Sequence, residues 1–258
     1  MIIIRRVAGL GGQLFQYTFG RTLAHRWKYR LERFPISGYP QTFSANAGTE
    51  IITPLAKWTG NWPLDLYTGR RIAKEELLYA PENCLEIWGE FLRWEHIADF
   101  REEIRFDWLK SNTSPLIPRR GMVLCVRCEE ESLTECQVRT IVKISSCSEP
   151  HFVSDVPNDP LMVTLRDLRG TWSTGKGIEM LRFIQSFECI AFCQSVLYWW
   201  ASFLSEAWEI YFPAIDAGNW SHPSPAKFAY DPPHYGIDLR VLDENRYIYN
   251  WWSSDFSA

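Results

Sequence analysis

The chain lacks any excess of positive charge. Its 27 Lys and Arg are outnumbered by 31 Asp and Glu, for a formal net charge of −4 over 258 residues. Gripping a nucleic-acid backbone needs Lys and Arg gathered on one face, so nucleic acid is not an expected partner. Also missing is any run near the roughly 18 apolar residues of a membrane-spanning helix. The opening "MIII" stops at Arg5 and Arg6, too short for the apolar centre of a secretory leader. Seven irregularly spaced Cys do not form a disulfide framework. The expectation is a cytoplasmic protein with free thiols. Peripheral association with the inner face of a membrane stays open, and oligomeric state is unspecified.

Three familiar ligand motifs are present only in part. Gly9 and Gly11 begin a dinucleotide fingerprint, but its third glycine position holds Leu14. "GTWSTGKG", Gly170 to Gly177, almost spells a phosphate-binding P-loop. Gly177 stands where the magnesium-binding hydroxyl belongs, so a flexible loop is expected there. Cys125 and Cys128 have zinc-like spacing, yet Cys136 and Cys147 do not make a second such pair. Two residues three apart on a strand also face opposite ways, so no metal is expected.

What is present is apolar mass in an alternating pattern. Hydrophobic residues make up 46% of the chain and include 13 Trp. That is enough for one to two domains, with most Trp used in packing and some available to stack on sugar rings. Met1 to Val7 reads as a buried strand ended by a glycine turn. Phe15, Phe19, Leu23 and Trp27 then recur at helical spacing. Residues 35–85 read as loops and short elements. "EHIADFREEIRFDWL" reads as a helix with Ile97, Phe100, Ile104 and Trp108 on one side, and "SNTSPLIPRRG" as a linker.

Beyond the linker, "GMVLCVR", "HFVSD" and "ECIAFCQS" read as strands ending at Arg127, Asp155 and Ser195. "IEMLRFIQSF" and "VLYWWASFLSEA" read as helices, and "EIYFP" as a further strand. Strands alternating with helices predict an α/β fold with parallel sheets, whose ligands bind beyond the carboxyl ends of the strands. Arg127 could pair with a pyrophosphate or with Glu129, Glu130 or Glu131. Ser195 could be a plain helix cap or mark a phosphate-binding helix terminus.

Taken together, these segments resemble the alpha-1,2-fucosyltransferases of glycosyltransferase family eleven. The family's opening motif, approximately G-G-x-G-N-Q-[ML]-F-Q-Y-A-x-G-R-A-L-A, matches here at Gly9, Gly11, Gln13, Leu14, Phe15, Gln16, Tyr17, Gly20, Arg21, Leu23 and Ala24. "WGEFLRWEHIADFREEIR", "HFVSDVPND" and "CIAFCQSVLYWWASFLSEAWEIYFP" are similar to later family segments, in the same order. The family's H-x-R-R-x-D stands here as Cys125, Val126, Arg127, Cys128, Glu129 and Glu130, keeping one arginine. The family's Asn becomes Gln194, next to the retained Ser195.

The resemblance implies two Rossmann-like domains in a GT-B-type arrangement with a central cleft. They would be an acceptor-side domain, 1–115, and a donor-side domain, 116–258, with an aromatic tail. It implies metal-independent, inverting transfer of fucose from GDP-fucose to a galactoside hydroxyl, with a nucleotide sugar and a glycan acceptor as partners and no further cofactor. Arg127 would be the catalytic residue; Arg127, Asp155, Gln194 and Ser195 would bind the donor. Gly9, Gly11, Gly12 and Gln13 would border the cleft on the acceptor side. The changed phosphate motif keeps a second expectation in play, a homologue that binds glycan or nucleotide sugar without turnover. A P-loop NTPase resting on Gly170 to Gly177 is the third.

Overall fold

A computed structural model describes residues 2–6, 9–32, 34–39, 42, 56–59, 85–88, 97–110, 118–127, 133–145, 149–192, 195–211 and 247–248. These fall into two compact units that divide between Thr113 and Ser114.

The first unit is built on three parallel strands. β1 (Ile2–Arg5), β2 (Ala56–Thr59) and β3 (Leu85–Trp88) pair in the order β1-β3-β2. The Ile run of β1 is buried at Ile2, Ile3 and Ile4, as expected of a strand covered on both faces. Helix α1 (Leu10–Trp27) comes next. Phe15, Phe19 and Leu23 are fully buried and Trp27 is half-buried, so the predicted stripe is real. Burial extends further round the helix, to Leu14, Gln16, Tyr17 and Thr18.

A single glycine brings α1 close to the sheet. Gly20 presents no side chain toward β1 and β3, and a Cβ there would lie 2.6 Å from Ile4 Cδ1 and 3.3 Å from Ile87 Cδ1. Later in this unit a helical segment, 98–108, passes from a tight turn into a wide π turn over Ile104–Trp108. Of the predicted stripe, Ile104 and Trp108 are buried, as is Ile97 just ahead of the segment, while Phe100 is half-buried. Trp108 stacks on Phe100 with centroids 5.4 Å apart. The Arg21 guanidinium of α1 lies 4.9 Å over the Trp108 ring and 3.6 Å from the Asp107 carboxylate.

The second unit is a six-stranded parallel sheet. Its strands are β4 (Arg119–Arg127), β5 (His151–Ser154), β6 (Thr171–Thr174), β7 (Phe187–Phe192), β8 (Glu209–Tyr211) and β9 (Tyr247–Ile248). They lie in the order β6-β5-β4-β7-β8-β9, and every pair is parallel. In chain order that is 3-2-1-4-5-6, the doubly wound arrangement of Rossmann-type domains. The aromatic tail thus contributes Tyr247–Ile248 as an edge strand beside β8.

The intervening helices are α2 (Glu135–Ile144), α3 (Leu161–Thr164), α4 (Gly177–Gln185) and α5 (Val196–Leu204). The start of α2 is fixed by a capping box: Gln137 N–H donates to Thr134 Oγ1, and Thr134 N–H donates to Gln137 Oε1 at 2.9 Å. Arg139 on α2 then bonds Glu135, both carboxylate oxygens of Asp167 and the Thr164 carbonyl, which ties α2 to the turn after α3. The α5 helix is apolar almost all round. Trp199, Trp200 and Phe203 are buried against one another, with Trp199 and Phe203 stacked at 5.2 Å. These two Trp serve packing rather than ligand stacking.

Replacing a mid-helix Gly by Ala ordinarily stabilises an exposed helix by about 1 kcal/mol. Gly20→Ala should do the opposite, lowering stability by about 1–2 kcal/mol, because the added methyl overpacks the Ile4 and Ile87 contact. Urea unfolding of the two proteins measures the sign. A higher midpoint for Gly20→Ala would show that α1 does not need its close seat on the sheet.

Candidate functional site

Because the six strands of the second unit run parallel, their carboxyl ends share one edge. From β4 the chain winds outward to β5 and β6; from β7 it winds the other way, to β8 and β9. Successive connections therefore part between β4 and β7. Such a divergence opens a crevice at the carboxyl edge, where a ligand can reach backbone amides on both sides.

Arg127 is the last residue of β4 and stands at that divergence. The pairing of β4 with β5 slips just before it: Cys125 lies opposite Val153, yet Arg127 lies opposite Ser154. Two residues of β4 thus oppose one of β5. A bulge of this kind bends its strand and re-aims the residues after it, and bulges concentrate beside binding sites. The stretch behind it, Met122 to Val126, is completely buried.

At the end of β5 the chain forms a tightly bonded corner. Ser154 Oγ is buried, donates to Asp159 Oδ2 at 2.7 Å and accepts from the Val156 N–H at 3.1 Å. Asp159, also buried, accepts from the Leu161 N–H through Oδ1 at 2.9 Å. Asn158 takes a left-handed conformation, φ 59°. Asp155 is half-buried within this corner, directly after the strand, so its backbone position is set by neighbours on both sides. Ser154 and Asp159 do the positioning, and hydrophobic patterning points to neither. The S-x-x-x-x-D-P spacing ahead of an apolar turn was the available signal.

Past β7, Ser195 is the N-cap of α5. Its backbone is extended, and its Oγ accepts from the Tyr198 N–H at a long 3.5 Å. The Ser195 carbonyl takes the first helical bond, from Trp199 N–H at 2.8 Å. The capping role is therefore real. The leading N–H groups of α5 lie beyond the reach of the helix's own carbonyls, and a helix terminus of this sort favours anions. Gln194 lies outside the described residues. Arg127, Asp155 and Ser195 thus lie at the carboxyl edge, Arg127 as the last residue of β4, Asp155 one residue past β5 and Ser195 beyond β7, which ends at Phe192 rather than at Ser195.

Two local expectations need correction. Gly170 to Gly177 is not a loop: Thr171–Thr174 is the edge strand β6, and Gly177, at φ 65°, begins α4. Failing the P-loop pattern at Gly177 does not make the segment a loop, since an edge strand tolerates its polar Thr and Ser. Lys176 is extended and precedes the helix, whereas a P-loop lysine sits inside its helix. The opening glycines are the second correction. Only Gly9 is outside the helix, as the N-cap of α1, while Gly11 and Gly12 are buried within its first turn and Gln13 comes directly after them. Gln16, on the next turn, donates from Nε2 to the Arg5 carbonyl at 2.8 Å and ties α1 to the end of β1. Gly9, Gly11, Gly12 and Gln13 belong to the first unit; Arg127, Asp155 and Ser195 belong to the second.

Of the four cysteines weighed for zinc, Cys125 is buried in β4 and Cys136 is exposed on α2. Cys128 and Cys147 lie outside the described residues. No three His, Cys, Asp or Glu side chains gather around a metal-sized space among the described residues. Among the same residues, no helix is long and apolar enough to cross a membrane.

No family model matches the chain, and no curated protein matches it. Among solved structures it is similar to a mutant of Arabidopsis thaliana FUT1 in complex with GDP. The TM-score is 0.48 and the identity 8%, over 83% of this chain and 70% of that one.

The β5 corner gives a direct test of what holds the edge in shape. Asp159→Ala strands the buried Ser154 hydroxyl and the Leu161 N–H together, and should cost about 2–3 kcal/mol in urea unfolding. Ser195→Ala loses only a long cap bond and should cost about 1 kcal/mol or less. Equal losses for the two variants would contradict this ranking.

Proposed function

We propose that the chain is a glycosyltransferase that transfers fucose from GDP-fucose to a galactoside hydroxyl, with inversion and without a metal. The observation that carries this reading is Arg127 at the β4–β7 divergence of a 3-2-1-4-5-6 sheet. That place receives nucleotide phosphates in doubly wound folds. The sequence resemblance to alpha-1,2-fucosyltransferases supplies the donor and the acceptor class. In the same reading the two units are the two domains of a GT-B enzyme. The first would take the glycan through Gly9, Gly11, Gly12 and Gln13; the second would take the donor through Arg127, Asp155, Gln194 and Ser195.

Breaking the bond between fucose and GDP leaves growing negative charge on the β-phosphate. A guanidinium can meet two phosphate oxygens at once, and the amino end of α5 can offer backbone donors. Fixed groups of this kind stabilise a transition state without reorganising during the reaction. Asp155, held by the Ser154–Asp159 corner, would place the polar part of the donor.

One observation favours a second reading. Cys125 occupies the place of the family's motif histidine, and it is a fully buried thiol inside β4. A protein that binds GDP-sugar but turns it over slowly, or not at all, would tolerate that change. The P-loop alternative has less support, because Gly175–Lys176 comes after the edge strand β6, away from the divergence.

Thermal unfolding in the presence of a chelator separates these readings. GDP or GDP-fucose at about 100 times its Kd should raise Tm by about 5 °C or more, by mass action on the native state. Other nucleotide sugars and ATP should raise it less. Small, equal shifts with every nucleotide would remove the transferase reading. Lys176→Ala should leave the GDP effect unchanged; its loss would revive the P-loop.

If turnover is found, Arg127→Ala should lower kcat about a hundredfold, or about 3 kcal/mol. Arg127→Lys should recover little, since a point charge does not reproduce the planar fork. Full activity in folded Arg127→Ala would end the proposed mechanism. Binding of GDP without transfer would select the second reading.

A further inference from the structure

Arg127 and Asp155 follow neighbouring strands, yet the sheet ladder does not fix one against the other. The β4–β5 pairing slips between Cys125 and Arg127, and a bulged strand bends there instead of keeping its partner's course. The connection after each strand is better anchored. After β4, the Leu133 N–H donates to the Val126 carbonyl at 2.8 Å, and the Thr134–Gln137 capping box starts α2 at once. After β5, the buried Ser154–Asp159 pair holds the corner that contains Asp155, and Asp159 accepts from the Leu161 N–H that begins α3. Strands β4, β5 and β6 follow one another in one direction across the sheet, so right-handed connections place α2 and α3 on the same face.

Arg139 bridges these two connections with all three of its guanidinium nitrogens. Nη1 and Nη2 donate to Asp167 Oδ2 and Oδ1 at 2.6 and 2.9 Å, and Nη2 also donates to the Thr164 carbonyl at 2.9 Å. Nε donates to Glu135 Oε1 at 2.8 Å, one turn earlier on α2. The Glu135 bond orients the guanidinium within its own helix; the other three cross from α2 to the end of α3 and the turn after it. A fork that meets a carboxylate at two points fixes angle as well as distance. The cluster is exposed, with 37% of the Arg139 and 62% of the Asp167 side chain open to solvent. Exposed ion pairs add little to stability, because water solvates and screens both charges. The clamp therefore acts on position more than on stability.

We propose that Arg139 is a positioning residue for the donor site: by clamping α2 to α3 it sets the spacing between Arg127 and Asp155 across the carboxyl edge. This inference rests on the reading of those two residues as donor-binding. On one side the path runs from Arg139 through the capped first turn of α2 to Leu133 and Val126, next to Arg127. On the other it runs from Thr164 through α3 to Leu161, Asp159 and the corner around Asp155. Each link is a hydrogen bond or a helical turn, so a shift at the clamp is passed to both ends. With the clamp released, α2 and α3 can move apart on the face of the sheet. A donor that must meet Arg127 and Asp155 together is then held less tightly.

Calorimetric titration of the full chain with GDP-fucose tests the clamp. Arg139→Lys keeps the charge but gives up the fork, and should bind about tenfold more weakly than the wild type. Asp167→Ala should weaken binding by a similar factor. That sign is diagnostic, because removing a carboxylate would by charge alone favour an anionic ligand. Glu135→Gln touches no bond between α2 and α3 and should bind as the wild type does. All three variants should unfold within about 3 °C of the wild type. Unchanged affinity in folded Arg139→Lys or Asp167→Ala would overturn the proposal and leave the donor reading intact. An equal loss in Glu135→Gln would also overturn it, marking the cluster as general support for α2. A wild type that binds no GDP-fucose would remove the donor reading, and the positioning role with it.

Discussion

The second unit depends on the burial of one strand. Met122, Val123, Leu124, Cys125 and Val126 are wholly excluded from solvent, and β4 pairs in parallel with β5 on one side and β7 on the other. A strand enclosed in this way cannot slide, since a one-residue slip would turn every buried side chain to the opposite face. Its register therefore sets the positions of both flanking strands. It also decides where the winding reverses, and so where the sheet edge opens. The bulge before Arg127 is tolerable only at the end of such a strand, where one lost ladder bond does not disturb the buried interior.

Close approach is a second constraint, imposed by what is absent from side chains. Gly20 lets α1 press on Ile4 and Ile87, and Gly170 lets the chain pass beneath Pro150 and Phe152 into β6. In both places a helix or strand is seated so close that an added Cβ would force its neighbours to shift. Dense packing of this kind fixes positions that hydrogen bonds alone would leave loose. The apolar α5 acts similarly: Trp199, Trp200 and Phe203 wedge its middle into the core, which holds its amino end at the sheet edge.

Much of this was legible in the sequence. Short apolar runs such as "MIII" and "MVLCV" announce buried parallel strands, and Arg127, Asp155 and Ser195 fell on one edge because parallel strands share a direction, although β5 ends at Ser154 and β7 at Phe192. What escaped notice was encoded in polar residues. Helix α2 is short, with Val138 and Ile141 buried at helical spacing, and its start is written in Thr134 and Gln137, a capping pair that hydrophobic periodicity passes over. Strand β6, made of Thr, Trp, Ser and Thr, looks like a loop until His151 and β5 are seen beside it. Gly11 and Gly12 suggested a turn because glycine favours one in isolation. Here the neighbouring Leu14 and Phe15 bury so much surface that the helix begins before them. Tertiary burial of roughly 1.5–3 kcal/mol per large apolar side chain outweighs a propensity penalty of about 1 kcal/mol per glycine.

Under the proposed function, Cys125 in place of the histidine of the family the chain resembles has a physical meaning inside the central strand. A histidine at position 125 would sit within β4, opposite Val153 on one side and Phe192 on the other. In such a place an imidazole costs desolvation unless its nitrogens are bonded. A thiol fills the position as a small apolar group and needs no such partner. Cysteine at this position therefore favours the packing of the central strand and places no polar ring there. Under the proposed chemistry, phosphate recognition then falls on fewer groups, chiefly Arg127 and the amino end of α5. Fewer groups mean a steeper dependence on each one. An enzyme with that arrangement would keep its fold and its nucleotide while its turnover hung on a single guanidinium.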